Sequence, residues 1–172
     1  TLPVVDPGSA PAAITGIAAP LNGSVTDAAE SLWSLLSGPG PAFIADPASP
    51  VTTAMFSKPG SYTLRLGAAN ASGESSRTLA VTVTGTALTE AEIWRFTHFG
   101  STANSGDAAD DADPDRDGHA NLLEFATGRL PNSPDGAISN LTKSGTILEF
   151  TYRRSHAAVA DGVGFIVEWS AD

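Results

Sequence analysis

Between residues 21 and 83, short apolar runs alternate with turn residues at regular spacing, at 21–25, 32–35, 42–45, 51–56, 62–68 and 79–83. Tyr62, Leu64, Leu66 and Ala68 share one face of a strand while Thr63 and Arg65 point away, because successive side chains of a strand face opposite sides. Leu79, Val81 and Val83 repeat the pattern with Thr78, Thr82 and Thr84 outward. Asn22-Gly23, Gly38-Pro39-Gly40-Pro41, Pro59-Gly60 and Ser72-Gly73 supply the turns between runs. Several short strands at this spacing predict a β-sandwich. Trp33 falls where a sandwich buries a tryptophan between its sheets. Tyr62, just after Pro59-Gly60 at a strand start, falls where a tyrosine corner is expected.

The run from Leu21-Asn22-Gly23-Ser24-Val25-Thr26-Asp27 through Trp33, Ser37-Gly38-Pro39-Gly40 and Phe56-Ser57-Lys58-Pro59-Gly60-Ser61-Tyr62 resembles bacterial PKD-type immunoglobulin-like domains. The resemblance covers about half of the chain and implies a spacer or binding module of a secreted or surface protein.

After Thr84-Gly85-Thr86 the periodicity changes. Thr89-Glu90-Ala91-Glu92 is a capping box, in which hydroxyl and carboxylate satisfy first-turn amides. The spacing predicts a helix to about Phe99, with Ile93, Phe96 and Phe99 on one side and Gly100 as its stop. An acidic loop follows over 101–118, then a short helix over 121–127 stopped by Gly128. The remainder alternates as strands again. Leu148, Phe150 and Tyr152 form one apolar face, Val163, Phe165, Val167 and Trp169 another, with a weaker signal over 137–141. Three strands are too few for an independent sandwich. The expected organisation is therefore mainly β: an immunoglobulin-like sandwich over 1–86, a helix–calcium loop–helix junction over 87–130, and a partial β-domain over 131–172.

Asp113, Asp115, Asp117, Gly118 and Glu124 match D-x-[DN]-x-[DN]-G-x5-E without a departure. Calcium is a hard cation that takes six to eight oxygens, and alternate residues of a tight loop turn toward one centre. Asp113, Asp115 and Asp117 are expected to give carboxylate oxygens and His119 its backbone carbonyl. Asn121 contributes directly or through water, and Glu124 closes the shell bidentately. Asn121 and Glu124 also start the second helix, so ion binding and capping are expected to reinforce one another. The loop resembles those of EF-hand, dockerin and thrombospondin type 3 repeats, although only one is present. A second half-site would draw on Asn104, Asp107, Asp110 and Asp111 but lacks the glycine. The wider run from Ile93 through Asn121-Leu122-Leu123-Glu124-Phe125-Ala126 resembles a C-terminal region of large secreted proteins of Verrucomicrobia-type bacteria. A lone loop with a neutral Asn at the ninth position suits the weak extracellular class, with a dissociation constant of about 0.1–1 mM.

Composition narrows the partners. A formal net charge of −10 with lysine only at 58 and 143 offers no basic stripe for nucleic acid. No apolar run approaches the ~20 residues of a membrane span. The chain begins at Thr1 without a methionine, as a mature product or excised fragment would. Cysteine is absent, which excludes disulfides, thiolate zinc sites and cysteine nucleophiles and leaves a metal ion as a candidate staple. No G-x-S-x-G, H-E-x-x-H or P-loop occurs, and His98, His119 and His156 are scattered. Glu90 and Glu92 read as helix-start residues rather than a catalytic pair. The expected function is a non-enzymatic, calcium-stabilised spacer of an extracellular or cell-surface protein. Two alternatives are adhesion, to polysaccharide through Trp94 or Trp169 or to another surface protein, and assembly through open β-edges.

Overall fold

The computed structural model describes residues 1–168, and the chain divides into two compact units, Thr1–Leu88 and Thr89–Asp172. In the first unit, nine strands follow one another. They are β1 (Val4–Asp6), β2 (Ala13–Ile14), β3 (Ala19–Asn22), β4 (Ser24–Thr26), β5 (Glu30–Ser37), β6 (Ala42–Ile44), β7 (Val51–Phe56), β8 (Gly60–Asn70) and β9 (Gly73–Thr84). One sheet has the order β2-β9-β8-β5 and a second the order β3-β7-β6, while β1 pairs with β4. All pairs are antiparallel except β2 with β9, where Ala13 lies beside Val83. The fold is mainly β and immunoglobulin-like, as the apolar spacing predicts.

The alternation on β8 and β9 becomes the core. Tyr62, Leu64, Leu66, Val81 and Val83 are each at most 2% exposed and pack against Leu21, Trp33 and Phe56. Burying each such side chain contributes about 1.5–3 kcal/mol. Tyr62 makes the expected corner: its hydroxyl donates to the Lys58 carbonyl at 3.0 Å and accepts from the Lys58 amide at 3.3 Å. Its ring stacks at a tilt on Phe56, 4.7 Å between centroids. The Trp33 indole N–H donates to the Pro50 carbonyl at 3.0 Å, so its one polar atom is satisfied inside the core.

The run over 21–25 is two strands, not one. Gly23 stands between β3 and β4, its N–H bonded to the Pro50 carbonyl at 3.1 Å. A Cβ there would lie 2.7 Å from Leu66 and 3.0 Å from Trp33, so only glycine lets the chain change sheets against the core. The strands β1 and β2 carry no sequence alternation long enough to announce them.

Among its described residues the second unit holds three α-helices, α1 (Glu90–Phe99), α2 (Asn121–Thr127) and α3 (His156–Ala160), a 3-10 turn at Gly106–Ala108, and a hairpin of β10 (Ser139–Ser144) and β11 (Ile147–Tyr152). The capping box of α1 forms as predicted, with Thr89 N to Glu92 Oε2 at 2.8 Å and Glu92 N to Thr89 Oγ1 at 3.2 Å. Gly100 ends the helix in the left-handed region, φ 69°. Asp161 adds a cap from 70 residues away, accepting from the Glu90 and Ala91 amides at 2.9 and 2.6 Å. Phe125, Ala126 and Ala158 form a small core joined by Trp94, Val163 and Phe165.

The predicted strand from Val163 is not formed over its described part. The Val163 N–H is taken by the Ala158 carbonyl at 2.9 Å, and Gly162 turns the chain at φ 79°. That segment therefore caps α3 and packs against it instead of pairing in a sheet. Trp169 lies outside the described residues. The weak signal over 137–141 is a true strand, shifted to Ser139–Ser144.

Candidate metal centre

The acidic segment is folded by its own carboxylates and by one glycine. Asp113 Oδ1 and Oδ2 accept from the Asp117 and Gly118 amides at 3.2 and 3.0 Å. Asp115 Oδ1 accepts from the Asp117 amide at 3.2 Å. Asp117 Oδ1 accepts from the His119 amide at 2.8 Å. These bonds wind residues 113–119 into a tight loop, with Gly118 at φ 91° and Arg116, exposed, at φ 63°. A Cβ on Gly118 would meet nothing within 4 Å, so the glycine answers a backbone requirement and not a lack of room.

The loop brings one oxygen each of Asp113, Asp115 and Asp117 within 4.8 Å of one another. Among the described residues no other cluster of three acidic or histidine side chains does this. Glu124, on the first turn of α2, is fully buried nearby but is not one of the carboxylates that converge within that distance. Burial, reinforced by the charges of Asp115, Asp117, Asp113 and Asp135, pushes its carboxyl up to about 7. Asn121, 1% exposed, points its amide nitrogen at the Asp107 and Ala109 carbonyls, at 2.8 and 2.7 Å. Its Oδ1 is thereby committed to the other side. Asp115 Oδ2, Asn121 Oδ1 and both Glu124 oxygens are buried without a hydrogen-bond partner. A neutral orphan costs about 1–3 kcal/mol and a charged one more. Four acceptors are thus buried here without a donor.

His119 contributes differently. Its amide holds Asp117, and its ring Nδ1 lies 3.1 Å from Asp117 Oδ1. The expectation that Asn121 caps α2 is not met. The N-cap position is Ala120 without a side-chain bond, and the Asn121 and Leu122 amides go to the Ala112 and Asp110 carbonyls at 2.8 and 2.9 Å. The backbone of the acidic segment caps the helix, which frees the Asn121 side chain to pin the preceding turn.

Asp135 is a part of the site that its sequence context, plain turn material, did not reveal. Its amide donates to Asp117 Oδ2 at 2.8 Å across 18 residues. That bond, ahead of the one from His119, holds the Asp117 carboxyl below its ordinary range against the opposing effect of burial. The second half-site is not assembled. Asp110 is instead engaged by Arg95 at 2.6 Å and by the Asn104 amide at 2.8 Å. Trp94, half-buried, packs among His98, Phe99 and Phe125, with centroids 5.0, 6.0 and 5.7 Å away.

The strand order, the buried Trp33 and the Tyr62 corner make the first unit an immunoglobulin-like sandwich. Residues 8–83 match the family model of the PKD domain. The PKD domain is a non-catalytic, immunoglobulin-like structural module found in extracellular proteins. The match ends before α1, so the acidic loop lies outside it. Among solved structures, the PKD domain from KIAA 1837 protein is similar at 22% identity, over 48% of this chain and 86% of that one, with a TM-score of 0.41. A putative alpha-galactosidase from Bacteroides fragilis is 18% identical over 54% of this chain and 23% of its own, with a TM-score of 0.36. Titin M4 is 19% identical over 48% of this chain and 95% of its own, with a TM-score of 0.33. No curated protein matches the chain. No helix among the described residues is long and apolar enough to cross a membrane.

Proposed function

We propose that this chain is a calcium-stabilised, non-catalytic structural module of a secreted or cell-surface protein, its PKD domain followed by a helical unit that closes around one ion. The observation that carries this reading is Glu124: a fully buried carboxylate with both oxygens unpartnered, beside three convergent aspartates. Asp113, Asp115, Asp117 and Glu124 would hold the ion, with Asn121 Oδ1 and the His119 carbonyl as neutral ligands. Hard oxygen donors without nitrogen or sulfur favour calcium over zinc or copper. With four carboxylates around it, a divalent ion also offsets the repulsion that the loop carries alone.

The role is structural because the ion ties together elements that have little other core. Among its described residues the second unit buries the apolar cluster of Phe125, Ala126 and Ala158, which is small for an independent fold. A metal that binds only the folded state stabilises it by mass action. Scanning calorimetry of the protein in calcium and in chelator checks this, with Asp117→Ala beside the wild type. The expected result is a transition that rises with calcium in the wild type and not in the variant. Identical melting in calcium and chelator for both proteins overturns the proposal.

A further inference from the structure

Of the three aspartates in the loop, Asp117 alone is held from outside it. The donors to Asp113 and Asp115 come from the Asp117 and Gly118 amides, a few residues away. Asp117 instead has one oxygen fixed by His119 and the other by the amide of Asp135. With one donor on each oxygen, the plane of that carboxylate is set, and its remaining lone pairs are presented to the centre. What brings the Asp135 amide there is the loop after α2, and that loop is closed by Arg129. The Arg129 amide caps α2 by donating to the Glu124 carbonyl at 2.8 Å. Its guanidinium forks, with Nη1 at 3.0 Å from Asp135 Oδ1 and Nη2 at 2.8 Å from the Ala137 carbonyl. Within the loop Pro131 is buried, and Asn132 donates to the His98 carbonyl at 3.1 Å.

We infer that Arg129 is a positioning residue for the ion centre, acting through the Asp135 amide on Asp117, so that ion binding and closure of the loop over 129–137 stabilise one another. The inference rests on the calcium reading above. Coupling of this kind is reciprocal: if the closed loop favours the ion, the ion favours the closed loop. It also ties the ion to the hairpin, since Ala137 lies two residues before β10.

Charge and position predict opposite signs for the same substitution. Removing the Arg129 cation, and leaving Asp135 an unpaired anion, would tighten calcium binding if electrostatics alone mattered. Loss of the fork would weaken it if Arg129 sets the geometry, and outer-shell partners of metal ligands typically cost about 10–100-fold in affinity. Calcium titration calorimetry on the whole chain is combined with hydrogen exchange at the Asp135 amide, for wild type, Arg129→Gln and Arg129→Lys. Expected are about tenfold weaker binding in Arg129→Gln, a smaller loss in Arg129→Lys, and calcium protection of the Asp135 amide that is strong in wild type and lost in the Gln variant. Unchanged or tighter binding by Arg129→Gln, with the wild type binding calcium, overturns the positioning role and leaves the calcium centre standing. Should the Gln variant fail to fold, Arg129→Lys decides alone, because it keeps the charge and loses the fork: wild-type affinity and protection there overturn the inference. A wild type that binds no calcium removes the centre and the inference with it.

Discussion

Replacing Glu124 by Gln should stabilise the metal-free protein at pH 8 and abolish its response to calcium. The carboxyl is fully buried, and burial with the charges of four aspartates raises it from an ordinary 4.5 to about 7. The metal-free fold thus holds this proton more tightly than the unfolded chain does. That contribution is fully present below the unfolded value and is lost as pH rises through 7. Between those values the difference is on the order of 3 kcal/mol, and at pH 8 all of it is missing from the metal-free wild type. Gln carries no charge to bury, so the variant should recover part of that loss. Calcium acts the other way on the wild type. At a concentration of 10–100 times the dissociation constant it adds about 1.4–2.7 kcal/mol, or roughly 6–20 °C for a unit of this size. Two calorimetric scans per protein at pH 8, one in chelator and one in 10 mM calcium, are enough to read both effects. Gln should melt higher than wild type in chelator and lower in calcium. A variant that melts lower in both, or that keeps the wild-type calcium shift, refutes the placement of Glu124 in an ion centre.

Two further outcomes follow from the same arrangement. Calcium and a proton compete for Glu124, so the apparent calcium affinity should fall about tenfold from pH 8 to pH 6; a pH-independent affinity by titration calorimetry contradicts this. Tyr62→Phe removes the hydroxyl that both accepts from and donates to Lys58, and should cost the first unit about 1 kcal/mol. It should leave calcium affinity unchanged, which separate melting and titration of the variant would verify.

Local signals in this chain were legible where physics is local. The alternation of Tyr62, Leu64 and Leu66, the Thr89–Glu92 box and the glycine stops at 100 and 128 each act over one turn or one strand, and each appears where the sequence puts it. The five positions of the acidic motif likewise set the convergence of Asp113, Asp115 and Asp117, because spacing within a tight loop leaves little freedom. Short elements were less legible. A two-residue strand such as β2 exists only because β9 is beside it, and the segment from Val163 alternates like a strand yet finds the end of α3 before any sheet edge. The outer part of the centre was beyond sequence altogether. Asp135, Arg129 and Asp161 act on partners 18, 8 and about 70 residues away, and no periodicity marks such pairs. Sequence alone determined which oxygens could gather around an ion. Only the tertiary fold decided that Glu124 is buried with them and that Asp117 is held from outside, because burial and long-range hydrogen bonds are properties of packing and not of spacing along the chain.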